Sequence, residues 1–219
     1  MTTTTISVLL VDDHAMFRET LARTLAGETD VRVLGGAGTA DEALARAREL
    51  QPDIVLMDID MPGQVCFEAA RAIQAEPPGP RVVFLSAFFN DHYIQRALEI
   101  RAWGYIVKSE PAAAVVTAVR RVAAGETYFS PEVQARLVME GRVPRLEPGP
   151  RTRAATLTER ELEILRYLAR GMGQKQVAHL LEISPHTVHR HVNALMTKLD
   201  IHDRVELARY AIREGMAEA

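Results

Sequence analysis

The sequence has almost no cysteine. Cys66 stands alone among 219 residues, so the chain cannot close a disulfide on itself, and such usage fits a reducing compartment. The opening stretch MTTTTISVLL has neither a basic start nor a long apolar segment, which argues against a signal peptide. No apolar run approaches the roughly 20 residues of a membrane span, so a cytoplasmic protein without a membrane partner is expected. Charge of one sign is also scarce: 26 Lys and Arg face 29 Asp and Glu, for a net charge of −3. The balance is uneven, at −4 over residues 1–124 and +1 over residues 152–219, the latter with five of the seven histidines. That cationic lean is too weak to mark a nucleic-acid binder by itself. With 47% apolar and 25% charged residues the composition is globular, and the length suits one large domain or two ordinary ones.

What is present divides by rhythm. Up to residue 124, short apolar runs (ISVLLV, VRVLG, DIVLM, RVVFLS, GYIVK) alternate with helical patterns near 16–26, 40–50, 64–75, 91–99 and 111–124. Thr39 and Glu42 form a capping box at the second of these. Five β-α repeats predict a parallel sheet covered by helices on both faces. Residues 125–151 change character: a short helix is expected from Ser130, with Pro131 at its first position, to about Glu140, followed by a Pro-, Gly- and Arg-rich linker. From Thr152 the pattern is wholly helical, with N-caps at Thr158, Ser184 and Asp203, a staple between Leu157 and Leu162, and Gly215 placed to end the last of four helices.

The first apolar run ends in two adjacent carboxylates, Asp12 and Asp13. Like charges side by side repel, and burying them unpaired is costly, so a cation is expected between them. Other chemistry-bearing residues also follow apolar runs: Asp58 after IVLM, Ser86 after VVFL and Lys108 after YIV. In a parallel sheet, strand carboxyl ends share one crevice. Hard oxygen donors there suit Mg²⁺, with room for a phosphate oxygen. With the repulsion relieved, Asp58 would act as a nucleophile, and Lys108 and Ser86 would stabilise the transferred phosphoryl oxygens. A single strand-end Asp is commonly a turn or cap residue, and the side chains of Asp53 and Asp60 are given no catalytic role. His14 and His92 are read as surface residues, and Cys66 as a packed small hydrophobe.

The segments VDDH, LMDIDMPG, FLSA and GYIVKSEP, spread over residues 6–124, resemble the receiver domain of two-component response regulators. The resemblance implies a doubly wound (βα)5 flavodoxin-like α/β fold with Asp58 as phosphoacceptor. It also implies Mg²⁺ bound directly by Asp13 and Asp58, through water by Asp12, and by the backbone carbonyl of Asp60. Ser86 and Tyr105 would be the switch pair, the ring turning inward as the hydroxyl moves to the phosphate. The donor would be a phosphohistidine on a sensor histidine kinase. Cys66 and Arg101 stand where that family commonly has glycine, which puts the loop after Asp58 and the end of the fourth helix in question.

Farther along, Val188, Val192, Leu195 and Leu199 recur on one face of the helix PHTVHRHVNALMTKL. His186, His189, Arg190, Asn193 and Thr197 fall away from it, so the outer face carries hydrogen-bonding groups able to read base edges in a major groove. QKQVAHLL precedes it across the turn EIS, the spacing of a helix-turn-helix. A plain helical bundle with a polar surface is the competing reading. Residues 157–211 resemble the LuxR/FixJ DNA-binding domain along nearly their whole length. That resemblance implies double-stranded DNA contacts at Lys175, His186, Thr187, His189, Arg190, His191, Asn193 and Lys198, with Lys175 and Lys198 on phosphates. It also implies an all-α four-helix domain, residues 152–219, whose last helix serves a homodimer. Where the family often has a Lys this chain has His189, so DNA affinity is expected to strengthen as the pH falls through the imidazole range. Gly173 and Gln174 replace a Ser-Asn pair and remove a side-chain N-cap.

The sum is a phosphorylation-dependent transcription regulator rather than an enzyme. Two rivals remain: a regulator whose receiver works without phosphorylation, and a Mg²⁺-dependent phosphatase with an aspartyl-phosphate intermediate.

Overall fold

The computed structural model describes residues 5–61, 66–87, 89–140, 143–147 and 153–213. The chain divides into two compact units, with the boundary after Leu146.

In the first unit five strands, β1 (Ile6–Val11), β2 (Val31–Ala37), β3 (Ile54–Asp58), β4 (Arg81–Ser86) and β5 (Gly104–Val107), alternate with helices α1 (Ala15–Ala26), α2 (Ala40–Leu50), α3 (Cys66–Ala75), α4 (Asp91–Glu99) and α5 (Ala112–Ala123). A sixth, β6 (Tyr128–Phe129), completes an all-parallel sheet of order β2-β1-β3-β4-β5-β6. β1, β3 and β4 are buried on both faces, the environment that selects continuous aliphatic runs over alternation. One face packs Val8, Leu10, Leu56, Val83, Leu85 and Ile106 against Leu21 and Leu25 of α1 and Val115, Val119 and Val122 of α5. On the other, Phe84 meets Phe67 of α3 at 4.9 Å between ring centroids, and Phe67 in turn lies 6.1 Å from Tyr93 of α4.

Each expected element up to α5 is present. Cys66 is the buried first residue of α3, a place that suits a small apolar side chain. Arg101 adopts the left-handed backbone with φ 56°, where a non-glycine residue costs roughly 1–2 kcal/mol.

The region after residue 124 departs from expectation. The helix α6 covers only Pro131–Gln134, and an antiparallel hairpin of β7 (Leu137–Glu140) and β8 (Val143–Leu146) replaces the rest of the expected helix and the start of the linker. The sequence pattern gives no sign of β6. It pairs Tyr128 with Gly104 and Phe129 with Tyr105, and Ser130 follows it into the interior, accepting from the Val107 N–H at 2.8 Å and donating its own N–H to the Tyr105 carbonyl at 2.9 Å. Gly104 permits this approach: a Cβ there would sit 2.5 Å from the Tyr128 carbonyl oxygen and 3.1 Å from Val83 Cγ1. Gly104→Ala is therefore expected to destabilise the first unit by about 1–3 kcal/mol, the usual cost of overpacking, measured by urea denaturation. An unchanged midpoint would show that β6 yields without penalty.

The second unit has a 3-10 turn (Arg153–Thr156) and helices α7 (Glu159–Ala169), α8 (Gln174–Leu180), α9 (Pro185–Leu199) and α10 (Arg204–Arg213). Thr158 and Glu161 form the expected capping box, and Ser184 caps α9 through the Thr187 N–H. Asp203 caps α10 through the Glu206 N–H at 3.3 Å. Gly173 supplies no side-chain cap, but its N–H donates to Gln176 Oε1 at 2.7 Å, so half of a capping box survives. Glu182, with φ 51°, makes the left-handed turn from α8 into α9. Gly215, residues 148–152 of the expected linker and the Pro62-Gly63 portion of the first motif set lie outside the described residues. No helix among the described residues is long and apolar enough to cross a membrane.

Candidate functional site

The parallel sheet brings the strand ends of β1, β3, β4 and β5 to one edge, where Asp12, Asp13, Asp58 and Lys108 come together. Asp12 is 2% exposed and Asp58 fully buried. Lys108 lies between them, its Nζ donating to Asp12 Oδ2 at 2.6 Å and pairing with Asp58 Oδ2 at 3.0 Å. The cation expected from sequence is a divalent ion between Asp12 and Asp13; Lys108, 96 residues from Asp12 in sequence, instead places an ammonium between Asp12 and Asp58. The ammonium also rests on the Phe17 ring, 4.4 Å from its centroid. Arg18 donates to the Asp12 carbonyl, which holds the turn out of β1.

Burial pushes the Asp58 carboxyl up from 3.8 to about 6; Lys108 pulls it back, and the neighbouring charges of Asp12 and Asp13 add to the rise. Three carboxylates and one ammonium leave the cluster net negative when ionised, which favours a divalent cation. Donor atoms of Asp12, Asp13, His14 and Asp58 lie within 4.8 Å of one another, and the hard oxygens in that set fit Mg²⁺. Asp60 is buried beside them, its N–H donating to Asp58 Oδ1 at 3.1 Å.

Ser86 and Tyr105 are both fully buried and hydrogen-bonded to each other. Burial raises the Tyr105 hydroxyl well above the ordinary phenol range, so it remains neutral. The ring expected to turn inward is already inside. His14 is exposed, as the sequence reading has it, and its Nδ1 lies 2.9 Å from Asp13 Oδ1. Its adjacency to the acidic pair was the available signal. Ser130 and Phe17, which support β5 and Lys108, carried no such signal.

On α9 the buried stripe is Val188, Val192, Leu195 and Leu199, as the spacing predicts. His186, His189, Arg190 and Asn193 are exposed, Thr187 and His191 half-buried, and Lys175 on α8 exposed. Asn193 and His189 share a 3.2 Å hydrogen bond one turn apart, which orients both side chains on the outer face. Lys198 is differently engaged: its Nζ contacts Glu161 Oε2 at 2.7 Å and donates to the Thr156 carbonyl at 3.1 Å. A phosphate contact there would share the ammonium with a nearly buried carboxylate.

Residues 8–120 match the response regulator receiver domain family, and residues 155–211 the luxR family of bacterial regulatory proteins. The response regulator protein VraR of Staphylococcus aureus is 35% identical over 216 residues, covering 98% of this chain and all of that protein. A LuxR-family two-component response regulator from Aurantimonas sp. SI85-9A1 is 32% identical with a TM-score of 0.58, covering 60% of this chain and 94% of its own. The response regulator ChrA of a heme-sensing two-component system is 31% identical with a TM-score of 0.52, covering 97% and 98%.

Proposed function

The chain belongs to the LuxR-family response regulators of two-component systems, transcription factors that join a receiver to a DNA-binding domain, and from that premise we propose that Asp58 is its phosphoacceptor. The supporting observation is the placement of Asp58: fully buried, 3.0 Å from Lys108, and within one donor cluster with Asp12 and Asp13. An Asp58 oxygen attacks the phosphorus of a phosphohistidine on a sensor histidine kinase, the N–P bond breaks, and an acyl phosphate forms. Asp12, Asp13 and Asp58, with the Asp60 backbone carbonyl, would hold Mg²⁺, which supplies charge neutralisation for the phosphoryl oxygens. Lys108 and Ser86 bond the new phosphoryl oxygens, and Tyr105 follows Ser86.

Residues 6–124 form the receiver, 125–151 the connection and 152–219 the DNA-binding domain in this reading. α9 enters the major groove with His186, Thr187, His189, Arg190, His191 and Asn193 toward the bases, while Lys175 and Lys198 serve phosphates. Two copies acting as a homodimer would read two half-sites on cytoplasmic DNA.

Incubation with acetyl phosphate and Mg²⁺ is expected to add one phosphoryl mass, located by fragmentation at Asp58. Failure of that addition would favour a second reading, a receiver that works without phosphorylation. The inward Tyr105, already bonded to Ser86, is the observation on its side.

A further inference from the structure

His14 takes no part in the reading above. It is the N-cap of α1, where Ser, Thr, Asp or Asn would turn a side-chain oxygen onto the free N–H groups. His14 makes no such bond. Its own N–H is anchored on Asp12 Oδ1 at 2.8 Å, and its imidazole is turned back over the carboxylates, with Nδ1 2.9 Å from Asp13 Oδ1 and 3.3 Å from Asp12 Oδ1. Donors of His14, Asp12, Asp13 and Asp58 all fall within 4.8 Å. In an octahedral shell with bonds of about 2.1 Å, adjacent donors lie about 3.0 Å apart and opposite ones about 4.2 Å. The His14–Asp13 spacing is that of adjacent donors.

We propose that His14 is a direct ligand of the divalent ion at the acidic site and shifts its preference from Mg²⁺ toward first-row transition ions such as Mn²⁺. The inference rests on the reading of that site as a divalent-cation site. All-oxygen sets suit Mg²⁺, whereas an imidazole nitrogen adds affinity for transition ions along the series from Mn²⁺. Ligation through Nδ1 uses the inward side of the ring and leaves the exposed edge in water.

The test uses the full chain and Mn²⁺ as the probe. Pulsed electron paramagnetic resonance of bound Mn²⁺ is expected to show nitrogen modulation that vanishes in His14→Ala. Mn²⁺ affinity should fall at least about tenfold, the loss that even an outer-shell partner can carry, while Mg²⁺ affinity stays nearly unchanged. His14→Gln keeps a hydrogen-bond donor for Asp12 but has no imidazole, and should behave like the alanine variant. Bound Mn²⁺ without nitrogen modulation, equal weakening of both ions, or rescue by Gln would overturn the assignment and leave the metal site standing. Binding of neither ion to the parent chain would overturn the site reading along with it.

Discussion

Asp58→Asn is expected to make the metal-free receiver more stable above pH 6 while removing phosphoryl uptake. Asp58 is fully buried and its carboxyl is raised from 3.8 to about 6, chiefly by burial, with Lys108 opposing and Asp12 and Asp13 reinforcing the rise. An acid whose folded pKa lies above its unfolded one contributes stability that is complete below the unfolded value, near 4, and lost as the pH rises through about 6. Above that range the ionised side chain costs about 3 kcal/mol, at roughly 1.4 kcal/mol per unit. Asparagine keeps the shape and cannot ionise. Trp103, the sole tryptophan, lies in the first unit and reports its unfolding. In urea with a chelator, the gap between variant and parent should be small at pH 4 and reach about 2–3 kcal/mol at pH 8. An equal gap at both pH values, or a less stable asparagine variant at pH 8, would refute this account. The ionised Asp58 side chain is thus held at a cost to the resting fold, one that a bound cation would offset.

The carboxylates and Lys108 are legible in the sequence because each ends an apolar run, and a parallel sheet gathers such ends at one edge. The caps at Thr158, Ser184 and Asp203 are legible because their hydrogen bonds span three residues. Other features depend on distant partners. β6 is two residues long and is defined by Gly104 and Tyr105 far upstream. The segment around Glu132, Gln134, Arg136 and Leu137 is rich in helix formers, yet pairing of Leu137 with Leu146 and Val138 with Arg145 overrides propensity after Gln134. The Lys198–Glu161 pair joins residues 37 apart, so the position reads from sequence as a free cation on a recognition helix. The carboxylates around Asp58 and Lys108 can be read from these strand ends, but the strand and serine that brace β5 beside them cannot.

Lys108→Met is expected to cost the metal-free receiver about 3–5 kcal/mol near pH 8, the penalty for removing one partner from a buried charge cluster. Its Nζ is the cation between Asp12 and Asp58, whose side chains are 2% and 0% exposed. Without it both carboxylates are left buried beside Asp13 and lose the ammonium that bridges them. Methionine retains an apolar stem of similar length against Phe17, so the loss reports charge rather than packing. Two further results follow from the same electrostatics. The penalty should shrink toward pH 5, where Asp58, deprived of its ammonium, takes up a proton instead. It should also shrink on adding Mg²⁺, which should bind the variant more tightly than the parent because no ammonium competes for the same oxygens, and stabilise it in proportion to the logarithm of its concentration. Urea midpoints read by Trp103 fluorescence across pH and Mg²⁺ concentration measure all three. If the variant matches the parent in chelator, Lys108 is not the counter-ion that makes the empty acidic cluster tolerable; if its deficit ignores Mg²⁺, the divalent ion and the ammonium do not share a site. Phosphoryl uptake in the variant should be slowed even at saturating Mg²⁺, because stability is restored by any cation among the carboxylates, whereas the transferred oxygens still lack the donor that only the lysine places beside Asp58.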